Sequence, residues 1–519
     1  TRVTVVALLA SIFVLAIMLY ALGCWSPVLH ANLSILGSFI YSPEGAQFQI
    51  EDIRSVGETF ASRERKAINV VYMVHESLSG AYALNREEGK RAMPFFNSMR
   101  HSDDDFYVFP KSRSVSGDTV DCFTALATGC LPMTKSGRER ALKRSPATEF
   151  KRHGYRTGSF SSRELNLKKT KWFMLDTYLT ANFDHIVDPR SEGFKIVNAE
   201  GADDRHFPPL FQKWIEEEEQ KQNPFFAQFY QFNTHWPYLG PSDYKAETHL
   251  QGREKNLFGS LKSVDNSLKM IFDALNSTGH LNDTVIIGSG DHGEFAGGRK
   301  YVRLSQLRPH ILHPLTYMYV PSSLLLEEER KTLVENTNRL VSTLDMFPSL
   351  QHILKVRREL SVLASNITDN KSDIGNITSG LISHNFSAVA PILDLSSKEE
   401  QDHCVTGYDL FGTDIPLDRV AVSYTGVTNR GNFLGALSTD DDKGLYIRKK
   451  ANQEWQITYD QCTSQNQTVD CMQSLTSEDL KYWRVVVENL LASNSSRVGD
   501  GLRNSNLMEY LQKLMKIDS

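Results

Sequence analysis

The sequence predicts an α/β fold: a doubly wound, mostly parallel sheet, an N-terminal transmembrane helix before it and a small C-terminal antiparallel β subdomain after it. Three observations carry that expectation. The run Ile68–Val74 is apolar on both faces, as a strand covered by helices on both sides requires. Strand-like runs of this kind then alternate with amphipathic helical stretches through residues 67–356, the pattern of a parallel sheet with crossover helices. Val3–Cys24 carries no charged residue in 22 positions, enough helix to cross a hydrocarbon core of about 30 Å.

The elements come in this order. Ile68–Val74 is the first strand, Pro94 opens a helix and Phe106–Phe109 is a short strand. Asp121–Thr128 reads as a helix after a glycine-containing turn, and Arg152–Phe160 as a helix end, a turn and a strand. An acidic helix around Trp214–Gln222 leads into a central strand at Phe225–Phe232. Phe258–Leu275 is helical, Thr284–Gly288 and Tyr317–Val320 are strands, and Leu340–Ile353 is a helix. Beyond a polar stretch, short β-rich pieces such as Arg419–Tyr424 and Gly444–Lys449 suggest the antiparallel unit, with a helical tail from about residue 477. The implied organisation is an anchor at 1–24, a stem at 25–66, a catalytic domain at 67–356, a glycosylated surface loop at 357–403 and a C-terminal part at 404–519.

Composition narrows the class. Apolar residues make up 40% of the 519 and charged residues 23%, as in a globular protein with a sizeable core. With 57 Lys+Arg against 62 Asp+Glu there is no basic excess, so no nucleic-acid partner is expected. Six cysteines are too few for a disulfide scaffold, although Cys122 with Cys130 and Cys462 with Cys471 are spaced as local staples.

Arg2 before the apolar segment, and no basic residue between it and Arg54, orient the chain with everything after residue 24 outside the cytoplasm. The preferred reading is a single-pass type II membrane protein with a lumenal or extracellular catalytic domain. A cleaved signal peptide is the alternative, since Ala21-Leu22-Gly23 resembles a cleavage site. Glycosylation sequons at Asn32, Asn276, Asn282, Asn366, Asn370, Asn376, Asn385, Asn466 and Asn494 point to the same compartment, four of them falling between 366 and 385.

The residues able to do chemistry gather after the strands, where open α/β sheets place their ligands. His75-Glu76-Ser77 follows the first strand, Asn233-Thr234-His235 the strand at 225–232, and Asp291-His292-Gly293 the strand at 284–288. Ser116-Gly117-Asp118-Thr119 forms a turn opening a helix. A carboxylate, a hydroxyl and an Asp-His pair at separate strand ends suit one divalent metal, and a hydroxyl at a helix N-terminus suits attack on an anionic group. Each has a plainer reading: Glu76 as a cap, Thr119 as an N-cap, Asp-His-Gly as turn chemistry, His235 as a core histidine. Their joint placement at matched strand ends argues against all four. Gly288, Gly290 and Gly293 also match a dinucleotide fingerprint, but residues 300–326 hold no Asp or Glu for the ribose, so no nucleotide cofactor is expected.

Taken together, NVVYMVHESLSG, GDTVDCFTALATGCLP, FNTHWPY, VDNSLKMIFDALNSTGHLNDTVIIGSGDHGE, HPLTYMYVP and TLDMFPSL resemble the sulfatase-type branch of the alkaline phosphatase superfamily. Within it they are most similar to lipoteichoic acid synthases and phosphoethanolamine transferases. The resemblance covers about 67–356 and, more loosely, 404–460. It implies Glu76, Asp291 and His292 as metal ligands, Thr119 as nucleophile and further ligand, and His235, Trp172 and His313 as substrate contacts. The metal would be one Zn or Mn ion, with His310, His313 and Asp121 available to a second.

Two departures stand out. A sulfatase needs Cys or Ser in C/S-x-P-x-R, whereas the equivalent positions here are Thr119, Asp121 and Phe123. The synthases place an arginine shortly after a tryptophan, whereas Trp172 is followed by Phe173, Met174 and Leu175, with only Lys168, Lys169 and Lys171 nearby. The expected activity is therefore metal-dependent phosphoryl-group transfer or phosphodiester hydrolysis through a phosphothreonine intermediate, on a lipid- or glycan-linked phosphoester. A sulfuric ester hydrolase and an inactive lumenal binding protein are the alternatives.

Overall fold

The computed structural model describes residues 68–354, apart from 130–144, 167–172, 218–222, 239–248, 251, 295 and 297–309, together with parts of 407–485. The expected membrane segment, stem and sequon-rich loop lie outside the described residues, as do Trp172, Lys168, Lys169, Lys171, Cys462 and Cys471; of the expected helical tail only Tyr482, Trp483 and Val485 are described, and they are helical.

Strand β1 (Asn69–His75) is buried at every position and sits in the middle of a seven-stranded sheet. The sheet also contains β2 (Phe106–Val108), β4 (Arg156–Ser161), β5 (His185–Val187), β6 (Phe225–Gln231), β7 (Thr284–Gly290) and β8 (Thr316–Tyr319), in the order β2-β8-β7-β1-β6-β4-β5. β7, β1, β6, β4 and β5 run parallel, β8 pairs antiparallel with β7, and β2 at the edge pairs antiparallel with β8.

Successive β1 residues supply two separate cores, because side chains alternate across a strand. Val71 and Met73 pack with the long helix Gly252–Ser277 and with Phe207, Phe211 and Trp214. Val70, Tyr72 and Val74 pack on the other face with Phe123, Leu126, Phe150 and Tyr178. A sheet covered on both faces explains why its strands read as unbroken apolar runs.

The helix expected around Trp214–Gln222 begins earlier, at Phe207, and is described to Glu216; residues 218–222 lie outside the described residues. Phe207, Phe211, Trp214 and Ile215 recur at helical spacing and are all buried, so the apolar stripe rather than the acidic run places it. The helix expected over Leu340–Ile353 begins later. Val341–Ser342 (β9) instead pairs with Ser112–Arg113 (β3), and Ser342 caps a 3-10 turn at Thr343–Asp345 before the helix starts. Farther on, β10 (Val420–Thr425), β11 (Leu434–Thr439), β12 (Gly444–Lys449), β13 (Trp455–Asp460) and β14 (Met472–Gln473) form an antiparallel sheet.

Cys122 is a free, buried thiol whose Sγ donates to Ser116 O at 2.9 Å, so the Cys122–Cys130 staple does not form. Of the nine sequons, Asn276 and Asn282 fall among the described residues, and both are exposed.

The register of the central strands decides which residues meet at their ends. His75 pairs with Gln231 on one side and with Gly290 on the other. Glu76, Phe232 and Asp291 therefore leave the sheet side by side. The glycines there serve close packing: a Cβ on Gly290 would sit 2.5 Å from Leu78 O, one on Gly288 would strike the Tyr317 ring, and one on Gly293 would collide with His310 O. The spacing that resembles a dinucleotide loop is thus a packing requirement.

Gly293→Ala must push the 310–313 backbone away. We expect it to destabilise the protein by about 1–3 kcal/mol, as overpacking does, read as a lower urea midpoint. An unchanged midpoint would show that this segment yields freely.

Candidate active site

Glu76 follows β1 directly, and its N–H donates to Gln231 O at 2.9 Å. Its carboxylate is 1% exposed and takes hydroxyl donors on both oxygens. Oε1 accepts from Ser77 Oγ at 3.1 Å and from Thr119 Oγ1 at 3.0 Å, while Oε2 accepts from the Tyr230 hydroxyl. Thr234 Oγ1 donates to the Glu76 carbonyl, tying the turn after β6 to the turn after β1.

Asp291 is held by backbone. Its Oδ1 accepts from Ser77 N at 2.8 Å and His292 N at 2.7 Å, and its own N–H donates to His75 O. Its Oδ2 is fully buried and has no hydrogen-bond partner. Ser77 serves both acids, with φ at +59°, a left-handed conformation that a non-glycine residue adopts only under constraint.

His292 is fixed in tautomer and direction. Its Nδ1 lies 2.7 Å from Gly293 O, and only a protonated nitrogen can satisfy a carbonyl, so Nε2 faces the carboxylates. That Nε2 is 3.7 Å from Glu76 Oε1, 3.6 Å from Asp291 Oδ2 and 3.3 Å from Thr119 Oγ1. Thr119 is the first residue of the helix Thr119–Thr128, capped by the Asp118 side chain on Val120 N. Its oxygen accordingly sits at the positive end of a ten-residue helix.

One constraint governs the electrostatics: two buried carboxylates lie 3.7 and 3.6 Å from the same imidazole nitrogen, His292 Nε2. Burial raises the Glu76 carboxyl, but the His235 and His292 rings and the hydroxyls of Tyr230 and Thr119 outweigh it and hold the group below its ordinary value. Burial, then the Glu76 charge, push Asp291 up to about 7. Burial opposes a charge on His292, yet Asp291 and Glu76 raise it to about 9. Such a cluster is short of positive charge, and burying an unmatched carboxylate is costly.

Glu76, Asp291 and His292 each offer a ligand atom within 4.8 Å of the others, the only such group of three or more among the described residues. The orphaned Asp291 Oδ2, the oriented Nε2 and the mixed oxygen and nitrogen donors fit a divalent cation.

His235 lies near the cluster without joining it. Its ring stacks on Phe232 at 4.5 Å, and Nδ1 lies 2.6 Å from Trp236 O, leaving Nε2 as its second hydrogen-bonding atom. His313 packs against Gly80, with its ring lowered to about 3 by burial and its Nε2 unpaired. His310 is buried beside Tyr82, and Asp121 is buried in the helix Thr119–Thr128. Among the described residues, Asp121, His310 and His313 form no second group of three ligands. Phe123, at the place of the sulfatase arginine, is a core residue whose ring meets Tyr230 edge-on at 5.4 Å.

Nothing in the sequence singles out Ser77 or Tyr230. The one available signal is position: a hydroxyl beside a ligand, and a tyrosine at the C-terminal end of the neighbouring strand, where Tyr230 pairs with Val74.

Known proteins bear on this geometry. Lipoteichoic acid synthase 2 of Bacillus subtilis is 24% identical over 235 residues, 43% of this chain but only 35% of that protein's length. Solved structures share the fold at low identity. A lipoteichoic acid synthase from Listeria monocytogenes has a TM-score of 0.51 at 13% identity, with 89% of this chain and 98% of that one covered. A phosphonate monoester hydrolase from Silicibacter pomeroyi has a TM-score of 0.53 at 12% identity, with 84% and 96% covered. An alkaline phosphatase superfamily protein from Vibrio parahaemolyticus aligns at a TM-score of 0.51 and 16% identity, over 89% and 96%. The family profile described as Sulfatase matches residues 68–356, more than half of the chain and the whole of the sheet that carries the cluster. The protein therefore belongs to the sulfatase family.

Proposed function

We propose that this protein is a metal-dependent phosphoryl-group transferase or phosphodiesterase with Thr119 as its nucleophile, acting on a lipid- or glycan-linked phosphoester. The observation that carries this reading is a threonine hydroxyl at a helix N-terminus, bonded to Glu76 at 3.0 Å and 3.3 Å from His292. Glu76, Asp291 and His292 would hold the metal, a Zn or Mn ion, which when bound supplies Lewis-acid polarisation of the phosphoryl oxygen and of the nucleophile. We further propose that residues 3–24 anchor the protein and that the catalytic domain works outside the cytoplasm.

With the metal bound, the Thr119 hydroxyl would give its proton to solvent water; Oγ1 then bonds to phosphorus as the bond from phosphorus to the departing alkoxide breaks. The amides at the start of the helix Thr119–Thr128 face the growing negative charge. His235, held through Nδ1, is placed to protonate the leaving oxygen from Nε2. In the second step an acceptor hydroxyl or water, giving its proton to His235 Nε2, bonds to phosphorus where the alcohol left, and the phosphothreonine bond breaks to release the Thr119 alkoxide. An alcohol acceptor makes the reaction a transfer; water makes it hydrolysis. Sulfate-ester cleavage through formylglycine has no support here, because threonine cannot be converted and Phe123 stands in the apolar core.

Metal binding should release protons. His292 in the metal-free protein holds one below about 9 and Asp291 one below about 7, and the metal must displace both. Affinity for Zn or Mn should therefore fall as the pH is lowered through those values, with proton release measured calorimetrically in buffers of different ionisation enthalpy. Glu76→Gln and Asp291→Asn should each lose bound metal while remaining folded, since amides are poor ligands for such cations. Unchanged metal content in both would refute the ligand assignment.

Thr119→Ala should reduce phosphodiester turnover by on the order of 10³-fold or more. Thr119→Ser should retain measurable turnover, because the hydroxyl remains. Thr119→Cys should gain no arylsulfatase activity, with Asp121 and Phe123 in the places of proline and arginine. Near-normal turnover by Thr119→Ala would make water the direct nucleophile, and arylsulfatase activity in Thr119→Cys would move the protein to the other branch.

A further inference from the structure

Among the groups around Glu76, one has no chemistry of its own to perform. Tyr230 is 1% exposed, its ring caught edge-on by Phe123 at 5.4 Å and by Phe232 at 6.0 Å, so packing fixes where its hydroxyl points. That hydroxyl donates to Glu76 Oε2.

The two oxygens of Glu76 are thus divided. Oε2 is turned toward Tyr230, whereas Oε1 receives Thr119 and Ser77 and lies 3.7 Å from His292 Nε2. The terminal torsion of a glutamate is broad and nearly two-fold, so nothing internal to Glu76 would keep this orientation. We propose that Tyr230 is a positioning residue that pins Oε2 and keeps Oε1 turned toward His292, thereby setting the affinity of the centre for its metal. This inference rests on the metal-centre reading and assigns Tyr230 a role no family motif gave it. Groups that bond to a ligand rather than to the metal typically change metal affinity by roughly 10- to 100-fold.

The test is calorimetric titration of metal-free full-length protein with Zn or Mn, alongside thermal unfolding of the metal-free form. Tyr230→Phe keeps the ring and removes only the hydroxyl. Tyr72→Phe is the control: it removes an equally buried hydroxyl, bonded to Leu126 O at 3.0 Å, that touches no proposed ligand. We expect Tyr230→Phe to weaken metal binding about 10- to 100-fold, to shift the metal concentration for half-maximal turnover by the same factor, and to regain turnover at saturating metal. Tyr72→Phe should leave metal affinity unchanged, whatever it does to the unfolding temperature. Should Tyr230→Phe fail to accumulate as folded protein, Tyr230→Leu is titrated in its place with the same criterion. Wild-type metal affinity in the Tyr230 variant, with or without lowered thermal stability, would overturn the inference and leave the metal centre standing. A wild-type protein that binds neither metal would overturn the metal centre and this inference with it.

Discussion

The structure depends on how three parallel strands are aligned. His75 sits level with Gln231 and Gly290, so the backbone delivers Glu76 and Asp291 to one point above the sheet, with the turn after β6 beside them. A slip of one residue in any of these strands would reverse the faces of its side chains and disperse the cluster. The apolar packing on both sides of β1 fixes the register, and the register sets the distance between two buried acids. That distance creates an electrostatic deficit which one imidazole does not cancel. Burial, then the Glu76 charge, raises the Asp291 carboxyl; the two acids raise the His292 ring; and Asp291 Oδ2 is left unpaired.

Much of the sheet was legible in the sequence because burial on both faces removes polar residues from strands. Asn69–His75, Phe225–Gln231 and Thr284–Gly290 lie within a residue or two of where the apolar runs place them. Glu76, Asp291 and His292 could be found for the complementary reason: ionisable residues immediately after such runs stand out, and parallel strands bring their ends together. Helix boundaries were less legible. Ser342 spends its side chain on a cap and its backbone beside β3, so a segment with helical spacing begins with a strand and a 3-10 turn. Tyr230 was hidden by its setting, since an aromatic in a core strand looks like packing until its hydroxyl is seen on Glu76. The pair Cys122 and Cys130 shows the opposite failure, a suggestive spacing whose first member is a free thiol bonded to Ser116.

Membership of the sulfatase family fixes the scaffold and leaves the chemistry to a few positions. Thr119 opens its helix beside Glu76 and His292 with a side chain that cannot become formylglycine. Phe123 takes the arginine's place and turns inward, where it buttresses Tyr230. The ring of Phe123 thus supports the tyrosine whose hydroxyl bonds Glu76. A displacement by threonine, followed by a second displacement from the same pocket, is what this substitution pattern permits.

Two successive displacements leave a stereochemical record at phosphorus, and that record is the most direct test of Thr119 as a covalent nucleophile. A phosphorothioate diester of defined configuration is turned over in isotopically labelled water, or with a labelled acceptor alcohol, and the configuration of the product is determined. Attack by Thr119 and then by the acceptor inverts phosphorus twice, so net retention is the expected result. Net inversion would mean a single displacement by water or acceptor, and would contradict a covalent role for Thr119.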